Sequence, residues 1–233
     1  MQQAQTLRRG TPVAALGGDA RSVFIARTYG HVAGAILGFA AIESYLFSSG
    51  LAERMASAML GTSWLLILGA FMVVGWVATH VAHSVDSKPL QYLALAGFVV
   101  AEAIIFVPLL AIAIRVEPSI VDSAAGVTLL GTVGLTIVAF VTRKDFSFLR
   151  GLLMWGGILA VVAIIGSVLF GFQLGTWFSV AMIGFAGAAV LHDTSQILHH
   201  YPEDRYVGAA LQLFASIALM FWYVLRLFLS SRN

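Results

Sequence analysis

Long apolar runs alternate with short polar breaks along the 233-residue chain. A helix needs about 20 mostly apolar residues to cross a hydrocarbon core roughly 30 Å thick. Seven runs meet that length, at approximately 29–47, 62–80, 90–114, 124–141, 151–171, 175–198 and 207–229. The breaks read "SSGLAERMAS", "HSVDSK", "RVEPSIVDS", "TRKDFS", "GFQLG" and "HHYPEDR", none long enough for a separate soluble domain. The runs are continuous, whereas a transmembrane barrel would alternate over segments of roughly ten residues. The pattern therefore predicts an all-α membrane protein: a flexible cytosolic tail, 1–28, followed by a seven-transmembrane-helix bundle, 29–233.

Composition agrees. Hydrophobic residues make up 60% of the chain and charged residues 10%, with a mean hydropathy of +0.93; soluble domains carry about 25% charged residues. With no cysteine, disulfides and thiolate chemistry are excluded. The tail holds Arg8, Arg9, Arg21 and Arg27 and the linker-like "TPVAALGGDA", and reads as an extension rather than a cleavable leader. Basic residues fix the orientation. Of the 13 lysines and arginines, only Arg54, Arg115, Arg226 and Arg232 fall on the side opposite the N-terminus. The N-terminus is thus expected in the cytoplasm and, after an odd number of spans, the C-terminus outside. Trp64, Trp155, Trp177, Tyr29 and Tyr92 read as interface belts, with Trp76 and Trp222 packed deeper.

The polar residues inside the spans are the candidates for function. An ionisable residue within a membrane helix is a functional hypothesis by default. "LHDTSQILHH" (191–200) carries Asp193 near the inner end of the sixth span, with Gln196 and His200 at helical spacing on the same face. Glu102 lies about a dozen residues into the third span, near the bilayer centre, while Glu43 is expected to reach the outer headgroups. Six histidines invite a metal reading. Without cysteine or an HExxH pattern no metal site is expected, and His192, His80 and His200 are assigned to pH sensing instead. "GTVGLTIVAF" and "GFAGAAV" place small residues three or four apart, which suits close helix packing. Pro108 should kink the third span. No phosphate loop, catalytic triad or nucleic-acid patch is present, so neither an enzyme, a cofactor nor a nucleic-acid partner is expected; the expected partner is the lipid bilayer.

Several stretches carry a resemblance. "TRKDFSFLRGLLMWG" (142–156), "RTYGHVAGAILGFAA" (27–41), "AEAIIFVPLL" (101–110) and "LHDTSQILHHYPEDRYVGAALQLF" (191–214) are similar to the Bax inhibitor-1 family, also called the transmembrane Bax inhibitor motif family, and cover nearly everything after residue 27. "KDFSFL" and "DTSQI" are the most specific. The resemblance implies a compact seven-span bundle with a pore or cavity, in a bacterial inner membrane. It also implies a pH-sensitive calcium leak gated by two aspartates on the sixth and seventh spans. Asp193 matches the first, but the second position holds Ser216. In this the chain resembles the bacterial YccA type, whose members modulate the membrane protease FtsH. Two functions follow as expectations. One is a calcium or cation leak channel using Asp193, Glu102, Ser216 and Gln196. The other is a non-conducting partner of FtsH.

Overall fold

The computed structural model describes residues 10–232. Among them a 3-10 turn, Val13–Ala15, is followed by eight α-helices. These are α1 (Gly18–Ser48), α2 (Leu51–Leu60), α3 (Trp64–Ser84), α4 (Lys88–Val116), α5 (Ser119–Thr142), α6 (Leu149–Phe170), α7 (Thr176–His199) and α8 (Tyr206–Ser230). All except α2 are long and apolar enough to cross a membrane, which gives seven spans. Local chemistry sets several of the breaks. Gly50 and Gly171, at φ 73° and 72°, take left-handed conformations that end α1 and α6. Pro89 starts α4, where a missing N–H costs nothing. The same helix runs through Pro108 without a break.

α8 is the hub. It packs on α1, α3, α4, α5 and α7, while α6 leans mainly on α7 at the edge of the bundle. Its sequence explains this position. Gly208, Ala209, Ala210 and Ser216 remove bulk, and in a membrane small residues let backbones meet. A Cβ on Gly208 would lie 3.0 Å from the Ala82 carbonyl oxygen of α3. "GFAGAAV" does the same against α5, where a Cβ on Gly187 would lie 3.3 Å from Leu135.

Two expected boundaries move. α1 begins at Gly18, so the tail read as ending at residue 28 is already helical over its last eleven residues. Phe24 and Thr28 are buried there, and the Arg21 guanidinium donates to the Leu198 carbonyl at the end of α7. Ahead of α1, Pro12 bridges Pro202, the Val13 N–H donates to Tyr201 O at 2.9 Å, and the Val13 side chain is fully buried. Residues 1–9 lie outside the described residues. The second change is α2, read as a polar loop. Its Ala52 and Ala56 pack on Val107 and Ala111 of α4. The aromatics differ too. Trp76 is 69% exposed, whereas Tyr29 turns inward against Phe140 and Trp64 stacks on Trp222.

A carboxylate clamp and a polar cavity

At the N-terminal side of the bundle, α7 and α8 meet at Asp193 and Ser216. Both face inward because their neighbours one turn away, Ile197, Val190, Leu213 and Met220, are core residues. Asp193 is 3% exposed. Its Oδ2 accepts the Ser216 hydroxyl at 2.5 Å, and its Oδ1 pairs with Nδ1 of His192 at 3.1 Å. Each carboxylate oxygen thus has a polar partner within hydrogen-bonding distance, as a buried carboxyl group requires. His192 Nε2 is buried without a partner. The carboxylate forms a clamp across the interface that places α7 against the hub helix.

Close by, His83 of α3 and Tyr201 form a second polar pair. His83 Nδ1 lies 2.8 Å from the Thr79 carbonyl, so that nitrogen carries the proton, and Nε2 accepts the Tyr201 hydroxyl at 3.1 Å. Tyr201 sits in the α7–α8 loop. Burial first, and then the Asp193 charge, push its phenol well above the ordinary tyrosine range. It therefore stays protonated and remains a donor.

The loop between α5 and α6, 143–148, is latched to the end of α7. Arg143 turns the chain in a left-handed conformation, φ 51°, uncommon for a non-glycine residue. The Phe146 N–H then donates to Ser195 Oγ at 2.9 Å, and Gln196 donates to Ser147 Oγ at 2.9 Å. His200 Nε2 reaches Asp145 at 2.8 Å. The Ser147 hydroxyl and N–H both bind Asp145, and these bonds, with His200 behind them, hold its carboxyl well below the usual carboxylate range.

Glu102 lies elsewhere. It is 6% exposed and lines a cavity of about 860 Å³ on the other side of α8. α3 walls that cavity through Phe71 and Thr79, α6 through Gly157 and Ile164, and α8 contributes Gln212 and Arg226. Asp193 and Ser216 do not line it. Residues on two faces of the hub helix thus separate the acidic cavity from the carboxylate clamp.

With this geometry in place, comparison with known proteins is decisive. The family described as "Inhibitor of apoptosis-promoting Bax1" matches residues 21–233. The chain belongs to the Bax inhibitor-1 family. It is similar to Bax inhibitor 1 of Homo sapiens, 27% identical over 190 residues covering 78% of each chain. An uncharacterized protein of Pseudomonas aeruginosa is 34% identical over 113 residues, 47% of this chain and 50% of that one. An uncharacterized membrane protein of Vibrio cholerae is 30% identical over 106 residues, 45% and 47% of the two chains. The chain thus spans about half the length of these two bacterial relatives. It is a multi-pass membrane protein of the Bax inhibitor-1 family.

Within that family fold, the residues singled out by sequence separate into groups. Asp193, Ser216 and His192 come together. Gln196 and His200, expected beside Asp193, reach outward to the 143–148 loop instead, because the polar end of α7 has that loop to hold. His80 is exposed and stacks on Trp76. His83, three residues on, is the one that turns inward, to Tyr201. Spacing gave no signal for the choice: His80 and His83 are three residues apart and lie on neighbouring parts of one helix face. Glu43, expected among headgroups, is only 7% exposed. Among the described residues no group of three His, Cys, Asp or Glu side chains could hold a metal.

Proposed function

We propose that this protein is a pH-sensitive cation leak pathway of a bacterial inner membrane, with Asp193 as its gate on the cytoplasmic side and Glu102 in the cavity that supplies it. The carrying observation is the Asp193–Ser216 clamp, a buried carboxylate held by a hydroxyl across the interface of α7 with the hub helix. An ionised Asp193 accepts from Ser216 and His192. Once protonated it loses one acceptor site and its charge, and the clamp weakens. Cation passage needs weak, escapable acidic sites along a hydrated path. Carboxylate oxygens suit calcium, so calcium is the ion assigned. The path is closed between the two sites, and opening requires α7 or α8 to shift.

Calcium flux into liposomes containing the purified protein tests this. Wild type and Asp193→Asn are compared at pH 6 and pH 8. The expected result is a pH-dependent flux that the substitution abolishes. Flux no greater than in empty vesicles ends the proposal.

A second reading is a non-conducting modulator of the membrane protease FtsH. It is favoured by the ordered surface that residues 10–16 build with the α7–α8 loop, a feature a soluble domain could grip. Copurification with FtsH, lost on deleting residues 2–20, would support it. Absence of the protease from the purified membrane complex would remove it.

A further inference from the structure

A second cavity lies at the opposite, C-terminal end of the bundle, between α1, α4, α5 and α8, with a volume of about 340 Å³. Two carboxylates line it. Glu43 is five residues from the end of α1, and Asp122 is in the first turn of α5. Glu43 is 7% exposed, and both of its carboxylate oxygens are buried without a hydrogen-bond partner. That is unusual: a buried carboxylate normally finds donors, as Asp193 does. Among the described residues no lysine, arginine or histidine lines the cavity. The cavity thus holds one orphaned carboxylate, Glu43, and one exposed carboxylate, Asp122, with no basic side chain among the described residues of its lining.

The walls say what kind of cation is missing. Phe39, Phe214 and Phe221 line the space, and Leu110 and Ile217 fill in between them. The hydroxyls available are those of Ser44 and Thr128. A calcium ion takes six to eight oxygens; two carboxylates with two hydroxyls reach six only if every oxygen turns to one point, but Asp122 is exposed and the Thr128 hydroxyl is already bonded to the Ala124 carbonyl. Phenyl walls next to carboxylates instead match an organic ammonium, whose charge is met by the carboxylates and whose methylene or aryl body is met by rings. The volume falls within the range of small-molecule pockets. The rim residues Ala40, Ser44 and Leu129 are exposed, so the mouth opens to the outside of the bundle at membrane depth. A lipophilic cation dissolved in the bilayer could reach it without crossing water.

We propose that the cavity between α1, α4, α5 and α8 is a binding site for a small lipophilic ammonium cation, with Glu43 as the principal counter-ion and Asp122 as the second. The site is independent of the leak pathway: it shares neither Asp193 nor Glu102, and it stands if that reading fails.

The test is saturation binding of radiolabelled benzyltrimethylammonium to the full-length protein in detergent, with uncharged benzyl alcohol and calcium chloride as competitors. One-to-one binding is expected, displaced by neither competitor at equal concentration. Glu43→Gln should weaken it at least about tenfold, since a buried charge loses its partner. Asp122→Asn, at an exposed carboxylate screened by solvent, should weaken it by no more than about threefold. Ala125→Leu, which fills the cavity without touching a charge, should abolish it. Glu102→Gln should leave it unchanged. If Glu43→Gln does not give a monodisperse protein, Ala125→Leu decides alone. Binding that survives Ala125→Leu overturns the proposal, as does binding lost in Glu102→Gln but kept in Glu43→Gln. Displacement by calcium, or by benzyl alcohol as readily as by unlabelled probe, overturns it too.

Discussion

The two ends of this bundle treat a buried carboxylate in opposite ways. At the N-terminal side Asp193 has a polar partner on each oxygen, one from its own helix and one from the hub. At the C-terminal side Glu43 is about as buried and has none. The difference follows the packing around them. The Asp193 end is sealed by short residues on α8 and by three segments laid over it: residues 10–16, the 143–148 loop and the α7–α8 loop. The Glu43 end contains an open space. The comparison teaches that burial by itself does not assign a role to an intramembrane acid. A satisfied acid is part of the structure that holds helices together. An orphaned acid costs stability, and that cost is most easily understood if something binds there.

Replacing each acid with leucine should separate the two most widely. Asp193→Leu leaves the Ser216 hydroxyl and His192 Nδ1 without their acceptor in a dry interface, and should destabilise the protein by about 2–3 kcal/mol. Glu43→Leu removes an unpaired polar group from an apolar cavity, and should be neutral or stabilising by about 1 kcal/mol. Thermal unfolding of the purified proteins in detergent measures both. If the two substitutions destabilise equally, Glu43 has a structural partner and the contrast collapses.

The glycines sharpen the same contrast with smaller effects. Gly208→Ala drives a methyl group against the Ala82 carbonyl and the His83 ring, at 3.0 and 3.3 Å, and should cost about 1–2 kcal/mol. Gly134→Ala, in the interior of α5, meets nothing within 4 Å. It should gain about 0.5–1 kcal/mol from helix propensity. Equal effects on the unfolding temperature would mean that α3 yields readily, and the sealed end would be softer than its geometry indicates.

Much of the fold was legible in the sequence because membrane helices are long and apolar without interruption. The order and number of spans could be read from that alone, and most boundaries fall within a few residues. The start of α1 was missed because Arg21 and Arg27 made its first turns look like a solvated tail, when Arg21 instead caps α7. The helix α2 was missed because ten residues with Glu53 and Arg54 are too short and too polar to read as a span. Asp193 and Ser216 could be paired from the resemblance to the family. The positions of Gln196, His200 and His80 could not, because helical spacing places residues on a face without saying which neighbour that face meets. Glu43 misled for a related reason: distance along α1 put it near the membrane edge, but α4, α5 and α8 close around it.

The smallest predicted effect concerns the loop latch, the third acid in the comparison. Asp145 is half exposed and has donors in plenty from Ser147 and His200. Its carboxyl is held below the usual range in the folded protein, so folding favours the ionised form. The stability this contributes is fully present above the ordinary aspartate pKa, about 4, and is lost as pH falls through the lower folded value. Solvent screening limits the gain, so Asp145→Asn should cost no more than about 0.5 kcal/mol. Between pH 5 and pH 8 the carboxylate stays charged throughout, so any change in the difference between wild type and Asp145→Asn comes from its partner His200, since the pair is an ion pair only when the imidazole carries a proton. In a His200→Gln background the difference should be flat across that window. If it still grows or shrinks there, the carboxylate itself is titrating, and the exposed acid would join Asp193 as a candidate for the sensor.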